Sequence, residues 1–217
     1  VNGGVTGALV NGGAADPRAS GAADPRAAHI PAAAWDSLVE WLPENGDPDR
    51  PPLTLSTVSP TGVPDARTVL LSEFDASGFY FHTDASSRKV ADIEAHPAVA
   101  LTFLWPGATR QLVVQGRAEL APQSEIAWAY RARSPYLQQL AWQNTREFAQ
   151  LPAEDRRRQW AAFLAEHPGG FEQPGTWTGF LVRPVRLTFW RSDPDAPSHR
   201  IEYALDGDAW VERHLAG

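Results

Sequence analysis

From residue 53 onward the chain is cut into short apolar-rich segments, and almost every cut is made by turn chemistry. "LTLSTVS" (53–59) stops at Pro60-Thr61-Gly62, "ARTVLLSEF" (66–74) stops at Asp75-Ala76-Ser77-Gly78, and "FYFHT" (79–83) follows at once. Two strand-like runs joined by a tight Asp/Ser/Gly turn predict an antiparallel hairpin. "AVALTFLW" (98–105) and "RQLVVQGRAEL" (110–120) predict a second, folded around Pro106-Gly107. Further strands are expected at 176–182, 185–192, 199–205 and 209–215, the last two separated by Asp206-Gly207-Asp208. Helical patterns interrupt this series instead of alternating with it. One opens at Pro31 and runs through Trp35, Leu38, Val39 and Leu42, a second begins near Ser87 and ends before Pro97, and a block from Ser124 to His167 is divided by Pro135 and Pro152. Strands that follow one another through turns, with helices inserted in blocks, argue against a parallel doubly wound sheet and for a mainly β, α+β fold: an antiparallel barrel with peripheral helices.

Residues 1–30 differ in kind. They are rich in Gly and Ala and carry Gly13-Ala14-Ala15-Asp16-Pro17-Arg18-Ala19 and again Gly21-Ala22-Ala23-Asp24-Pro25-Arg26-Ala27. A short unit repeated once, without large apolar side chains, cannot offset its own ordering entropy, so a flexible arm is expected there. The rest, 31–217, is long enough for one domain.

Composition excludes several chemistries. With 19 basic against 26 acidic side chains the net charge is −7, the wrong sign for neutralising nucleic-acid phosphates or an anionic membrane surface. The chain has no cysteine, which removes disulfides, thiolate metal sites and thiol nucleophiles. The histidines at 29, 82, 96, 167, 199 and 214 form no HExxH and no close pair, so no metal site is expected. Neither a Walker-type nor a dinucleotide-type glycine loop is present, and no GxSxG elbow. With no apolar run of about 20 residues and no signal-peptide pattern, the cytoplasm is the expected location.

The cationic residues are more informative. Lys89, in "SSRKV", is the one lysine among those 19 basic residues. It stands with Ser86, Ser87 and Arg88 where a helix should begin, and a helix N-terminus with free amides, hydroxyls and cations suits a phosphate. The alternative is a plain helix cap at Ser87 with Arg88 and Lys89 solvated. Arg67 bears on the choice, because the hairpin that contains it leads directly into this loop and can bring Arg67 near Lys89.

Arg67-Thr68-Val69-Leu70-Leu71, Gly78-Phe79-Tyr80-Phe81-His82-Thr83, Ser87-Arg88-Lys89, Arg110-Gln111 with Gly116-Arg117-Ala118-Glu119, and Phe189-Trp190 occur in one order and register across roughly residues 35–215. In this the chain resembles the pyridoxamine 5'-phosphate oxidase family. The resemblance implies an antiparallel split β-barrel of FMN-binding type and a homodimer with FMN in clefts at the subunit interface. It further implies that Arg67 and Lys89, with Arg88 and Thr83, hold the FMN phosphate, and that the backbone of Val69, Leu70, Leu71 and Ser72 runs beside the isoalloxazine ring. Gln111, the Gln143-Asn144 pair, Trp190 and Arg200 would meet the flavin from other parts of the chain, with Thr68, His82 and Ser87 completing the cofactor set. Taken alone, Trp190 reads equally as a core aromatic.

The substrate half departs from the family pattern. The lysine that ends the family's "RxVLLK" strand is Ser72 here, and the family's "RLHDR" is "APSHR" at 196–200, keeping only Arg200. The substrate-facing positions implied are Ser72, Tyr130, Arg133 and Ser198. Losing a lysine and an arginine removes charged hydrogen bonds worth about 1.5–3 kcal/mol each. The expectation is therefore an FMN-dependent oxidoreductase acting on a small molecule that is bulkier and less charged than pyridoxamine phosphate. An authentic pyridoxamine phosphate oxidase, a non-catalytic flavin-binding module and a deazaflavin-dependent relative stand as alternatives.

Overall fold

The computed structural model describes residues 30–45, 47 and 51–216. The arm expected over 1–30 lies outside these residues except for Ile30, which is buried in the core. Helix α1 (Ala32–Trp41) follows, and its buried residues Ala34, Leu38 and Trp41 lie on one helical face. Trp41 meets Phe189 and Trp105 edge-on, with ring centroids 5.2 and 5.5 Å away, so α1 closes one end of the barrel core.

Strands β1 (Pro52–Val58), β2 (Pro64–Leu70), β3 (Glu73–Asp75), β4 (Gly78–Asp84), β5 (Ala98–Leu104), β6 (Arg110–Leu120) and β7 (Trp177–Arg191) form a sheet in the order β2-β1-β5-β6-β7-β4-β3, all antiparallel neighbours. Its two outer members, β2 and β3, are consecutive in the chain. Leu71 and Ser72 join them, the Leu71 N–H donating to the Pro51 carbonyl (3.3 Å) and the Ser72 N–H to the Tyr80 carbonyl (2.8 Å), so the sheet curls until its ends meet. The single strand expected over 66–74 is thus broken at 71–72, where the chain exchanges one partner strand for another.

Strand β7 supplies the split. One edge pairs with β6 over Phe180–Arg191, whereas the other pairs with β4 over Trp177–Val182 and with β8 (His199–Asp206) over Arg186–Arg191. The hairpin β8–β9 (Ala209–Leu215) extends this second half away from the barrel. Two strands, 176–182 and 185–192, were expected here. Instead Pro184 sits inside β7 at a bulge opposite Gly116, which absorbs its missing N–H. Gly116 is required at that point, since a Cβ would collide with the Arg183 carbonyl.

The pleat of β4 distributes its side chains to two cores. Phe79 and Phe81 enter the barrel interior, while Tyr80 belongs to a second cluster with Ile126, Tyr130, Trp177 and Leu181 under the helices. Those helices are α3 (Gln123–Arg131), α4 (Pro135–Gln143), α5 (Arg146–Ala149) and α6 (Ala153–Glu166); α2 (Arg88–Ala95) lies between β4 and β5. Among the described residues no helix is long and apolar enough to cross a membrane.

Candidate functional site

Three places collect the residues singled out by the sequence. The first is the N-terminal end of α2. Ser87 occupies the cap position with extended backbone, yet makes no side-chain cap; its hydroxyl lies 3.3 Å from that of Thr83. Lys89 Nζ donates to Thr83 Oγ1 at 2.9 Å. Partial burial lowers the Lys89 pKa, and the charge of Arg67 lowers it further, against the opposing pull of Asp84. Arg67 is thus near enough for its charge to act on Lys89, but it reaches this end of α2 from β2, paired with β1, and not, as the sequence suggests, through the hairpin that leads into the loop.

Arg67 also has partners that the sequence reading did not include. Its Nη1 donates to Thr57 Oγ1 (2.7 Å) and the Leu55 carbonyl (3.3 Å), and its Nη2 meets Asp65 (2.8 Å) and the buried Asp92 (3.2 Å). Thr57 in turn donates to the same Asp92 oxygen at 2.7 Å. Arg88, far more exposed, bridges to Asp65 at 2.7 Å. Desolvation would raise the Asp65 carboxyl, but the Ala66 N–H and the Arg67 and Arg88 charges outweigh it and hold the pKa below the usual carboxylate range. Asp65 lies two residues from Arg67 on the same face of β2, a spacing that was available in the sequence. Asp92 needed the packing of α2 on β1.

The second place is a cavity of about 410 Å³ between the β2–β3 link and the corner joining α3 to α4. Leu70, Leu71, Ser72 and Glu73 form one wall; Trp128, Ala129, Ala132, Arg133, Ser134 and Leu137 form the other, with Asp47 at the margin. Ser72 and Arg133, from the implied substrate set, are thus brought together. Ser72 Oγ lies 2.8 Å from His82 Nδ1, and His82 is stacked on Trp177 at 5.3 Å with 5° between planes. The Arg133 guanidinium lies over the same indole, 4.4 Å from its centroid. Burial, and then the charge of Arg133, drive the His82 pKa down to about 3, so this imidazole is neutral. Burial also lowers Arg133, to about 10, which leaves it cationic at neutral pH. Gly179 faces His82, and a Cβ there would run into the imidazole. Trp177, the platform under both residues, was read only as strand.

Tyr130 does not line this cavity. Its ring packs edge-on against Trp177 and its hydroxyl donates to the Glu172 carbonyl at 2.8 Å. Ser198 lies in the segment before β8 and lines neither cavity. Gln143 is bonded within the helical block, accepting from Gln139 (2.7 Å) and donating to the Gln159 carbonyl (3.4 Å), while Asn144 is the exposed C-terminal cap of α4.

The third place is a cleft of about 280 Å³ on the outer face of β6, β7 and β8. Gln111, Trp190 and Arg200 line it as neighbours across three strands, Gln111 opposite Trp190 and Trp190 opposite Arg200. Trp190 is half-buried there and is not part of the barrel core.

Comparison with known proteins identifies the family. The family model described as pyridoxamine 5'-phosphate oxidase matches residues 38–166. The chain belongs to the pyridoxamine 5'-phosphate oxidase family. A pyridoxine/pyridoxamine 5'-phosphate oxidase of Caulobacter vibrioides is 33% identical over 183 residues, covering 81% of each chain. One from Rubrobacter xylanophilus is 40% identical over 164 residues, covering 73% of each. Among solved structures, PhzG from Burkholderia lata, in complex with tetrahydrophenazine-1-carboxylic acid, superposes with a TM-score of 0.70 at 22% identity, covering 85% of this chain and 90% of that one. An FMN-binding protein from Nostoc punctiforme related to this oxidase family superposes at 0.58 with 19% identity, covering 76% and 87%. The fold is accordingly the split barrel of the pyridoxamine 5'-phosphate oxidase family, as expected, and the family is one of oxidoreductases.

Proposed function

We propose that the chain is an FMN-dependent oxidoreductase whose substrate is a small organic molecule other than pyridoxamine phosphate. When bound, FMN supplies a hydride acceptor or donor at its N5 position. The observation that carries the cofactor half is the set of groups at the N-terminal end of α2: Lys89 held by Thr83, with Ser87 and Arg88 beside it and Arg67 close enough to lower the Lys89 pKa. Hydroxyls, cations and uncapped helix amides match the donor set a phosphate monoester requires.

Position along the chain supports a dimeric site. Thr83 pairs with Thr178, near the start of β7, whereas Gln111 pairs with Trp190, near its end. The twelve residue steps from Thr178 to Trp190 span about 40 Å of extended strand, too far for one flavin to meet both groups in a single chain. A second copy of the chain, related by a two-fold axis, would bring the Trp190 group of one subunit to the Lys89 group of the other.

The substrate half rests on Ser72. With a hydroxyl where the family's strand ends in lysine, the cavity has one cation among the described residues, Arg133, which offers little to balance a phosphate dianion. Arg133 itself favours the second reading, an authentic pyridoxamine phosphate oxidase, because it faces the cavity and could compensate; the 33–40% identity to curated oxidases favours it too. Formation of pyridoxal phosphate from pyridoxamine phosphate at a rate typical of the oxidases would decide for that second reading.

The cofactor assignment is tested by titrating the full chain with FMN and with riboflavin, which lacks the phosphate. Lys89→Ala is expected to weaken FMN binding at least tenfold, about 1.4 kcal/mol, and to leave riboflavin binding unchanged. Equal FMN affinity in the two proteins would remove Lys89 from the site.

A further inference from the structure

The cavity beside Ser72 carries a sharper statement about its ligand. His82 is buried, with its Nδ1 2.8 Å from Ser72 Oγ and its Nε2 without any hydrogen-bond partner. Only one of the two neutral tautomers is comfortable there. If the proton sat on Nε2, a buried N–H would go unmatched; if it sits on Nδ1, the unmatched group is a lone pair, which is the more tolerable deficit. The Nδ1–H then donates to Ser72 Oγ. Because that oxygen is already accepting, its own O–H is free to donate, and Ser72 lines the cavity. His82 is held in this orientation by the Trp177 face on one side and by Gly179, where no Cβ intervenes.

Arg133 is the second donor. Among the described residues it forms no ion pair with a carboxylate and no side-chain hydrogen bond; its contact is the indole of Trp177, whose centroid lies 4.4 Å from the guanidinium carbon, and it lines the cavity. Glu73 and Asp47 also line the cavity, each engaged in interactions of its own, and neither brings a cation for a second anionic charge. The remaining walls are Leu70, Leu71, Trp128, Ala129, Ala132 and Leu137.

We propose that this cavity takes a monocarboxylate on an apolar, ring-bearing body, its carboxylate held by Arg133 and by the Ser72 hydroxyl that His82 orients. A planar carboxylate accepts two parallel N–H bonds from one guanidinium, whereas a phosphate monoester brings a second charge and a third oxygen, for which the cavity has no further cation among the described residues. His82 is a positioning residue in this arrangement: it acts through Ser72. The inference rests on reading this cavity as the substrate site, and it does not depend on which cofactor, if any, lies beside it.

The test is calorimetric titration of the full chain, with and without FMN, using 1-naphthoate, 1-naphthyl phosphate and 1-naphthamide. Naphthoate is expected to bind at least tenfold more tightly than either of the others. Arg133→Gln should remove its advantage over the amide, and Ser72→Ala should weaken it about tenfold, the usual effect of deleting a hydrogen bond to a charged group. Ser72→Ala is small enough to fold whatever happens to the Arg133 variant, and thermal melting of both establishes this. Nitrogen NMR is expected to show His82 Nδ1 protonated and Nε2 bare, a signature that a purely structural histidine need not give. Phosphate binding as tight as carboxylate, an unaffected Ser72→Ala protein, an Nε2–H tautomer, or no binding of naphthoate would each overturn the proposal. Flavin uptake, read separately by absorbance, distinguishes the outcomes: a chain that selects naphthoate but takes up no flavin keeps this inference and loses the FMN reading.

Discussion

Replacing Arg67 by leucine should destabilise the fold itself, whatever it does to a cofactor. Asp92 is 1% exposed and Arg67 19%, and the two share a network with Thr57, which donates to the same carboxylate oxygen. Leucine would leave Asp92 buried with only the Thr57 hydroxyl to balance its charge. Breaking a buried pair from one side costs about 3–5 kcal/mol, and the surviving Thr57 bond argues for the lower end, about 3 kcal/mol. For a domain of this size each kcal/mol is worth about 2–4 °C, so the melting temperature should drop by about 6–12 °C. Urea unfolding of the cofactor-free chain measures the free energy directly. The doubly substituted Arg67→Leu, Asp92→Leu protein removes both charges at once and should recover about 2 kcal/mol relative to additivity, the coupling expected of groups in one network. A loss below about 1 kcal/mol in the single variant, with no coupling in the double, would show that Asp92 does not need Arg67 and that the guanidinium is free to serve a ligand alone. The outcome governs how a weakened flavin affinity in any Arg67 variant is read.

Two further expectations concern His82 and assembly. The unfolded His82 takes up a proton near pH 6.5 and the folded one not until about pH 3, so in that window the unfolded chain binds more protons and stability falls as pH falls. Between pH 6.5 and about 5 the loss from this residue should be about 1.5 kcal/mol, seen in urea unfolding as a slope that a His82→Gln variant lacks; an identical slope in the variant would refute it. If FMN sites are shared between subunits, mixing and refolding equal amounts of Lys89→Ala and Trp190→Ala chains should restore tight flavin binding at about a quarter of all sites, because each mixed dimer regains one intact site and doubles the defect in the other. Absence of any restored sites, with mixed dimers shown to form, would place both groups in one subunit.

What the sequence made legible, and what it did not, divides along a physical line. Turn chemistry is local, so Asp75–Gly78 and Asp206–Gly207 announced their hairpins correctly, and the barrel followed from a chain of such hairpins. A change of partner is not local. Nothing in "ARTVLLSEF" signals that the chain leaves β1 and joins β4 at Leu71–Ser72, because apolar alternation is the same whichever strand lies alongside. The strand expected to end at 182 and resume at 185 runs on for a related reason: proline forbids a ladder hydrogen bond, but here β7 takes up one extra residue, Val185, opposite the Gln115–Gly116 step, and that bulge accommodates Pro184.

The site obeys the same rule. The hairpin that leads into the Lys89 loop is β3–β4 and does not contain Arg67, which lies on β2 paired with β1; α2, packed on β1, carries both Lys89 and, 25 residues from Arg67, the acid that holds it. Ser72 shows the limit most clearly. As sequence it is a missing lysine, a statement about what the site has lost. Only the contact with His82, ten residues away on the paired strand, turns the loss into a property, since a hydroxyl that accepts from a fixed imidazole has a defined direction in which to donate. The substitution therefore exchanges a mobile point charge for an oriented neutral donor, and a site so altered should discriminate ligands by the shape and charge of their acceptor group rather than by total charge alone.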